Sequence, residues 1–250
     1  MEYTIKLCDK IVAVQSICGI PNGFCDKFLS DLRAEINIHI NSEDIAFERA
    51  KSIREAEVEG LPPRNYSDAY LETIAIQRKV TEILFDYDTL LFHGSVVAVD
   101  GQAYLFAAKS GTGKSTHTRF WREVFGDRAV MVNDDKPFLK ITPEGVIAYG
   151  SPWNGKHGLG TNISVPLKAI CILERGEENE IHEIPSQEAL KMLFQQSQRP
   201  QNRANLLKYM DLVDKLAQKT TFYRMACNMD PQAAKVAYSA MSGEKKGKVI

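Results

Sequence analysis

Short apolar runs of strand length alternate along this chain with stretches of helical spacing. In its middle, TLLFHG (89–94), SVVAVDG (95–101) and QAYLFAA (102–108) are three apolar runs, and Asp100-Gly101 between the last two predicts a two-residue hairpin turn. Upstream, IVAVQSI (Ile11–Ile17) and INIHI (Ile36–Ile40) read as strands, and the charged run from Glu43 to Glu59 reads as a solvated segment. Leu61-Pro62-Pro63 ends that region. Tyr70, Leu71, Ile74, Val80, Ile83 and Leu84 then recur at helical spacing across 66–86, behind a Ser67/Asp68 cap.

Downstream, Ser115 to Phe125 predicts a helix with Phe120, Trp121 and Val124 inward and Gly126 closing it. AVMVN (Ala129–Asn133) is a buried strand, FLKI and VIAYG form a second hairpin through Pro143-Glu144-Gly145, and LKAICILE (Leu167–Glu174) is another core strand. Helices follow at 187–196 and 203–218, then the strand TFYRMAC and a last helix with Asp230 as cap and Pro231 at its first position. The expected organisation is a small α+β region at 1–64, an α/β core with a mixed sheet and C-terminal helices at 65–243, and a frayed tail at 244–250.

Composition narrows the function classes. Lys+Arg at 31 against Asp+Glu at 32 leaves a formal charge of −1, so no global field favours nucleic acid or membrane partners. Five cysteines, at 8, 18, 25, 171 and 227, contain no C-x-x-C pair, which argues against a disulfide framework or a zinc ribbon. MEYTIKLCDK lacks the apolar core of a signal peptide, and no stretch approaches the roughly 20 apolar residues of a membrane span. The expectation is a cytoplasmic protein.

The strongest chemical signal is AKSGTGKST at 108–116, directly after the apolar run Ala103–Ala108. Strand, glycine turn and helix start occur in the order a phosphate-binding loop requires. Backbone N–H groups of Ser110, Gly111, Thr112, Gly113, Lys114, Ser115 and Thr116 can curl around phosphate oxygens, aided by the helix N-terminus. Lys114 is expected on the terminal phosphates and the Ser115 hydroxyl on Mg²⁺. Ala108 stands where the pattern has its first glycine.

Asp134-Asp135 ends the next strand, where a phosphate-loop enzyme needs one carboxylate for the metal and, if it is a kinase, a second group for the acceptor hydroxyl. Two adjacent carboxylates can supply both and would titrate as a coupled pair. GSPWNGKHGLGTN (150–162) holds four glycines, Trp153, Lys156 and His157 between two strands. It is expected to be a mobile loop in which Lys156 neutralises a phosphate on closure.

Taken together, HGS at 93–95, AKSGTGKST at 108–116 and VNDD at 132–135 resemble the HPr serine kinase/phosphorylase group, whose phosphate-loop architecture is shared with ATP-dependent phosphoenolpyruvate carboxykinases. The resemblance spans roughly residues 88–175. It implies Lys114 and Ser115 on nucleotide phosphate and Mg²⁺, Asp134 as base or acceptor-positioning group, Asp135 on the metal, and His93 beside the reacting phosphoryl group. The segment CILERGEENE (171–180) echoes part of that group's C-terminal signature. The function expected is Mg²⁺-dependent phosphoryl transfer from ATP or another nucleotide to a hydroxyl of a peptide, protein or small molecule. A carboxykinase-like reaction and a nucleotide-dependent switch without transfer are the alternatives.

Overall fold

The computed structural model describes residues 1–109 and 111–243, so Ser110 and the tail 244–250, read above as frayed, lie outside the described residues. Contacts divide the chain into two compact units, Met1–Leu84 and Phe85–Ile250. The sequence had suggested a boundary after residue 64; by compactness the helix that follows it belongs to the first unit.

In that unit, β1 (Glu2–Leu7) and β2 (Lys10–Gln15) form an antiparallel hairpin, and β3 (Ile36–His39) joins β2 in parallel. The charged run expected to be a solvated segment is mostly exposed, and it forms helix α1 (Ser42–Glu59). Asn41 Oδ1 accepts from Asp44 N and Asp44 Oδ2 accepts from Asn41 N, a reciprocal capping box, while Gly60 at φ 66° ends the helix in the left-handed region. An apolar stripe is nearly absent from α1, because ion pairs do the docking. Arg78 reaches Asp44 and Glu48, and Lys79 reaches Asp44, all from helix α2 (Asp68–Leu84). Glu72 on α2 is also buried, and its carboxylate is satisfied by the backbone N–H groups of Ile17 and Cys18 at 2.6 and 2.8 Å.

The second unit is built on nine strands. They are β4 (Thr89–Leu91), β5 (Ser95–Val99), β6 (Gln102–Ala107), β7 (Ala129–Asn133), β8 (Phe138–Ile141), β9 (Val146–Tyr149), β10 (Ser164–Arg175), β11 (Glu180–Ile184) and β12 (Thr221–Cys227). The main path runs β4-β8-β9-β10-β6-β5-β7, with β12 pairing both β10 and β11. The sheet is mixed: β5 lies antiparallel to β6 and β7, whereas β10 lies parallel to β6 and β12. Asp100 and Gly101 both have positive φ, at 51° and 75°, which is the geometry the predicted two-residue turn demands.

Strand alternation fills two separate cores. Val96, Leu105 and Ala107 face helices α4 (Ser186–Gln196) and α5 (Leu206–Lys219), whose Leu193, Leu212 and Leu216 are fully buried. Val97, Tyr104 and Phe106 face α3 (Lys114–Phe125) and α6 (Gln232–Met241) through Trp121, Ala234 and Ala237. Each large side chain buried in this way contributes roughly 1.5–3 kcal/mol. Because both faces are covered, β5 and β6 read as continuous apolar runs rather than alternating ones. β11, by contrast, reads EIHEI and pairs only with β12, so its charge concealed it in the sequence.

Candidate functional site

The glycine turn leaves the end of β6 and enters α3. Gly111 and Gly113 sit at φ 77° and 118°, positions an L side chain would strain, and Gly113 is the last residue before α3 begins at Lys114. Ala108 keeps an ordinary backbone conformation, so a side chain in place of the pattern's first glycine costs nothing. The first turn of α3 carries no acidic residue to offset its positive end. Lys114 is half-buried, with Nζ donating to the Ala108 carbonyl at 3.2 Å, and Arg175 from the end of β10 donates through Nη2 to the Gly111 carbonyl at 2.7 Å. Ser115 is exposed beside Thr116 in the first turn of α3. Ser110 lies outside the described residues.

Because β5 separates β6 from β7, the end of β7 arrives beside the turn. Backbone bonds stitch the segment after β7 to the one before β5: Gly94 N donates to Asp135 O at 3.0 Å, Ser95 Oγ to Asp134 O at 2.9 Å, and Phe92 N to Pro137 O at 3.0 Å. His93 Nε2 thereby comes within 3.2 Å of Asp135 Oδ1. Burial raises the Asp135 pKa, but the hydrogen bond from His93 and the charges of Lys136, His93 and Lys114 outweigh it and hold the carboxyl below its usual range. Burial also lowers the Lys114 pKa, with Asp135 opposing and Lys136 adding to the drop. Asp134 is 7% exposed and accepts from Gly155 N through Oδ1 at 2.8 Å.

That last bond brings the glycine-rich segment 150–162 into the site. Its four glycines are not there for freedom alone. A Cβ at Gly150 would lie 1.7 Å from Thr161 O, one at Gly160 2.1 Å from Asn154 Oδ1, and only Gly158, at φ 60°, occupies the left-handed region. Trp153 is buried edge-on to Phe138 with ring centroids 6.1 Å apart, so it packs into the core. The tip around Lys156 and His157 is exposed, and there Gly158 N closes a turn onto Gly155 O. Lys156 has no ion-pair partner among the described residues, one residue along from the amide that holds Asp134.

Asn133 organises this junction; in the sequence it stood inside the VNDD block with no role of its own assigned. It is fully buried; its Nδ2 donates to Ser151 O at 3.1 Å and lies 3.2 Å from Asn154 Oδ1, while its Oδ1 accepts from Asp135 N and Lys136 N at 2.8 and 2.5 Å. Arg175 was also missed, although Arg175-Gly176 directly after a core strand was the available clue.

Two cavities flank the glycine turn and share Thr112 and Arg175. One, of about 480 Å³, borders Thr116, His117 and Phe120 of α3 together with Cys227 and Met229. The other, of about 410 Å³, opens toward α4 and includes Lys109, Lys191 and Gln196.

Beneath the turn, His117 Nε2 accepts from Trp121 Nε1 at 3.1 Å, and burial pulls the His117 pKa down to about 4. The unfolded chain, with a histidine near pKa 6.5, takes up this proton first, so stability is complete above about pH 6.5 and falls by about 3 kcal/mol as pH drops toward 4. Thermal melts of the wild type and His117→Gln between pH 7 and 4 should show that this part of the acid loss disappears in the variant. Parallel curves would mean that another group carries it.

The profile of the SynChlorMet cassette protein ScmC family matches residues 64–242. The chain belongs to that family. Among solved structures, the HPr(Ser) kinase/phosphatase from Coxiella burnetii is similar at 10% identity and a TM-score of 0.35, over 60% of this chain and 95% of that one. No curated protein sequence matches this chain. Among the described residues, no helix is long and apolar enough to cross a membrane.

Proposed function

We propose that the protein is a Mg²⁺-dependent phosphotransferase that moves the terminal phosphoryl group of ATP or another nucleoside triphosphate to a hydroxyl of a peptide, protein or small molecule. The observation that carries this reading is the meeting, at one end of the sheet, of a glycine turn opening an uncompensated helix N-terminus with Lys114 and with the His93–Asp135 pair.

The donor's phosphates fit the turn, whose N–H groups supply positive charge, and Lys114 joins them by leaving the Ala108 carbonyl. A magnesium ion fits the Ser115 hydroxyl and the ionised Asp135 carboxylate, hard oxygen donors of the kind it takes. When bound, it would neutralise charge on the transferring group. His93 orients Asp135 from 3.2 Å and borders the reacting centre. Asp134, fixed by Gly155 N, takes the proton of the acceptor hydroxyl. The acceptor oxygen forms the new bond to phosphorus, the bond to the bridging oxygen breaks, and its electron pair leaves with the nucleoside diphosphate. Lys156, at the tip of the glycine-rich segment, closes over the transferring group.

Turnover of ATP and GTP with Mg²⁺ against peptide and small hydroxyl acceptors tests the reading. Nucleotide binding with no transfer to any acceptor would favour a switch instead. Asp135→Asn is expected to weaken Mg²⁺-dependent nucleotide binding, whereas Asp134→Asn spares binding and lowers transfer about 10²-fold, as removal of a general base does. Equal loss of metal affinity in both variants would make the carboxylates one metal site and leave His93 as the base to examine.

A further inference from the structure

The α4-side cavity differs in kind from its neighbour on the α3 side. Its floor is apolar, with Ala108, Ile172 and Met192, and its rim carries four cations, Lys109, Arg175, Lys191 and Arg224, against two carboxylates, Glu174 and Glu188. Arg224 and Glu174 neutralise each other in an ion pair, and among the described residues Arg175 meets the neutral Gly111 carbonyl and no carboxylate. Lys109, Arg175 and Lys191 are thus opposed by Glu188 alone, which leaves an excess of two positive charges around about 410 Å³.

The wall nearest the reacting centre is Gln196. Its backbone carbonyl accepts from His93 N at 2.7 Å, which ties this wall residue to the histidine that touches Asp135. Its side-chain Oε1 is buried with no hydrogen-bond partner among the described residues. An unpaired buried acceptor is costly, and a native structure that keeps one commonly has a use for it. Turning the carboxamide toward the cavity would offer that oxygen to an incoming O–H and relieve the cost. Nothing comparable lines the α3-side cavity, which does not include Gln196.

We infer that the α4-side cavity receives the phosphoryl acceptor and that the acceptor is a small hydroxy compound carrying a carboxylate. Its anion meets Lys109, Arg175 and Lys191, and its hydroxyl donates to Gln196 Oε1 beside His93. The inference rests on the phosphotransferase reading and supplies its acceptor class. The cavity volume suits a molecule of a few carbons; an uncharged hydroxyl peptide would find no counterpart for the rim's charge.

The test uses the full chain saturated with Mg²⁺ and a non-hydrolysable ATP analogue, titrated with glycerate, lactate and tartrate, and with glycerol as the neutral match to glycerate. Side-chain amide NMR of Gln196 reports occupancy of the cavity. Expected are shifts with at least one hydroxy acid at concentrations tenfold or more below any glycerol effect. Lys191→Glu, at an exposed position, should weaken that binding tenfold or more without changing affinity for the analogue. Gln196→Leu should melt at or above the wild-type temperature, because it removes an unpaired oxygen, and should lose acceptor binding. Equal response to glycerol and glycerate, no response to any of the three acids, or unaltered acid binding in both variants overturns the inference, as does phosphoryl transfer that requires an uncharged peptide. Failure of the analogue itself to bind overturns the phosphotransferase reading instead.

Discussion

Replacing Lys114 by alanine is expected to lower phosphoryl transfer by up to about 10³-fold, the effect of deleting one preorganised charge at a developing anion. The fold should survive. In the structure the ammonium is half-buried and spends its hydrogen bond on the Ala108 carbonyl at 3.2 Å, a contact to a neutral group at the mouth of the turn that supports no core packing. Affinity for ATP with Mg²⁺ should fall as well, since the same ammonium meets the ground-state phosphates. Calorimetric titration, single-turnover transfer and circular dichroism separate the three effects. A Lys114→Ala protein that binds and turns over nucleotide like the wild type would show that the turn is only a tight connection between β6 and α3.

The second large effect is expected away from any charge. Asn133→Ala strips both backbone N–H groups that open the Asp135-Lys136 turn of their acceptor and removes the donor shared between Ser151 O and Asn154 Oδ1, around a fully buried side chain. Several buried or half-buried polar groups lose their partner at once, and the cost should be about 3 kcal/mol. For a chain of this size that corresponds to a fall in Tm of about 6–12 °C. Differential scanning calorimetry measures it. A Tm within about 2 °C of the wild type would mean that water replaces the asparagine without loss and that the junction is looser than its hydrogen bonds suggest.

Sequence and structure agree where a single local rule decides the conformation. Asp100-Gly101 had to turn with positive φ, and it does; AKSGTGKST had to leave a strand and enter a helix, and it does so through the two glycines that require the left-handed region. The adjacency of 93, 114, 134 and 135 follows from the same hairpin once β7 is known to lie against β5. What escaped was decided by distant partners. Helix α1 docks through Arg78 and Lys79, 30 to 35 residues away, so its own sequence shows only charge. Gln196 meets His93 through one backbone bond between segments about a hundred residues apart, and no periodicity announces such a bond. The glycines at 150 and 160 look like flexibility in one dimension and prove to be close approach in three.

On the phosphotransferase reading, the backbone stitching of 92–95 to 134–137 separates scaffold from chemistry. Main-chain groups, one serine hydroxyl and the Asn133 amide hold that junction, whereas the imidazole and the two carboxylates hang from it. A lineage could therefore lose the reactive side chains one by one and still inherit an undistorted frame, with nothing in its silhouette to betray the loss. Among relatives of this chain, inactive copies should be recognised by the letters at 93, 134 and 135, because their outlines would superpose on the active ones.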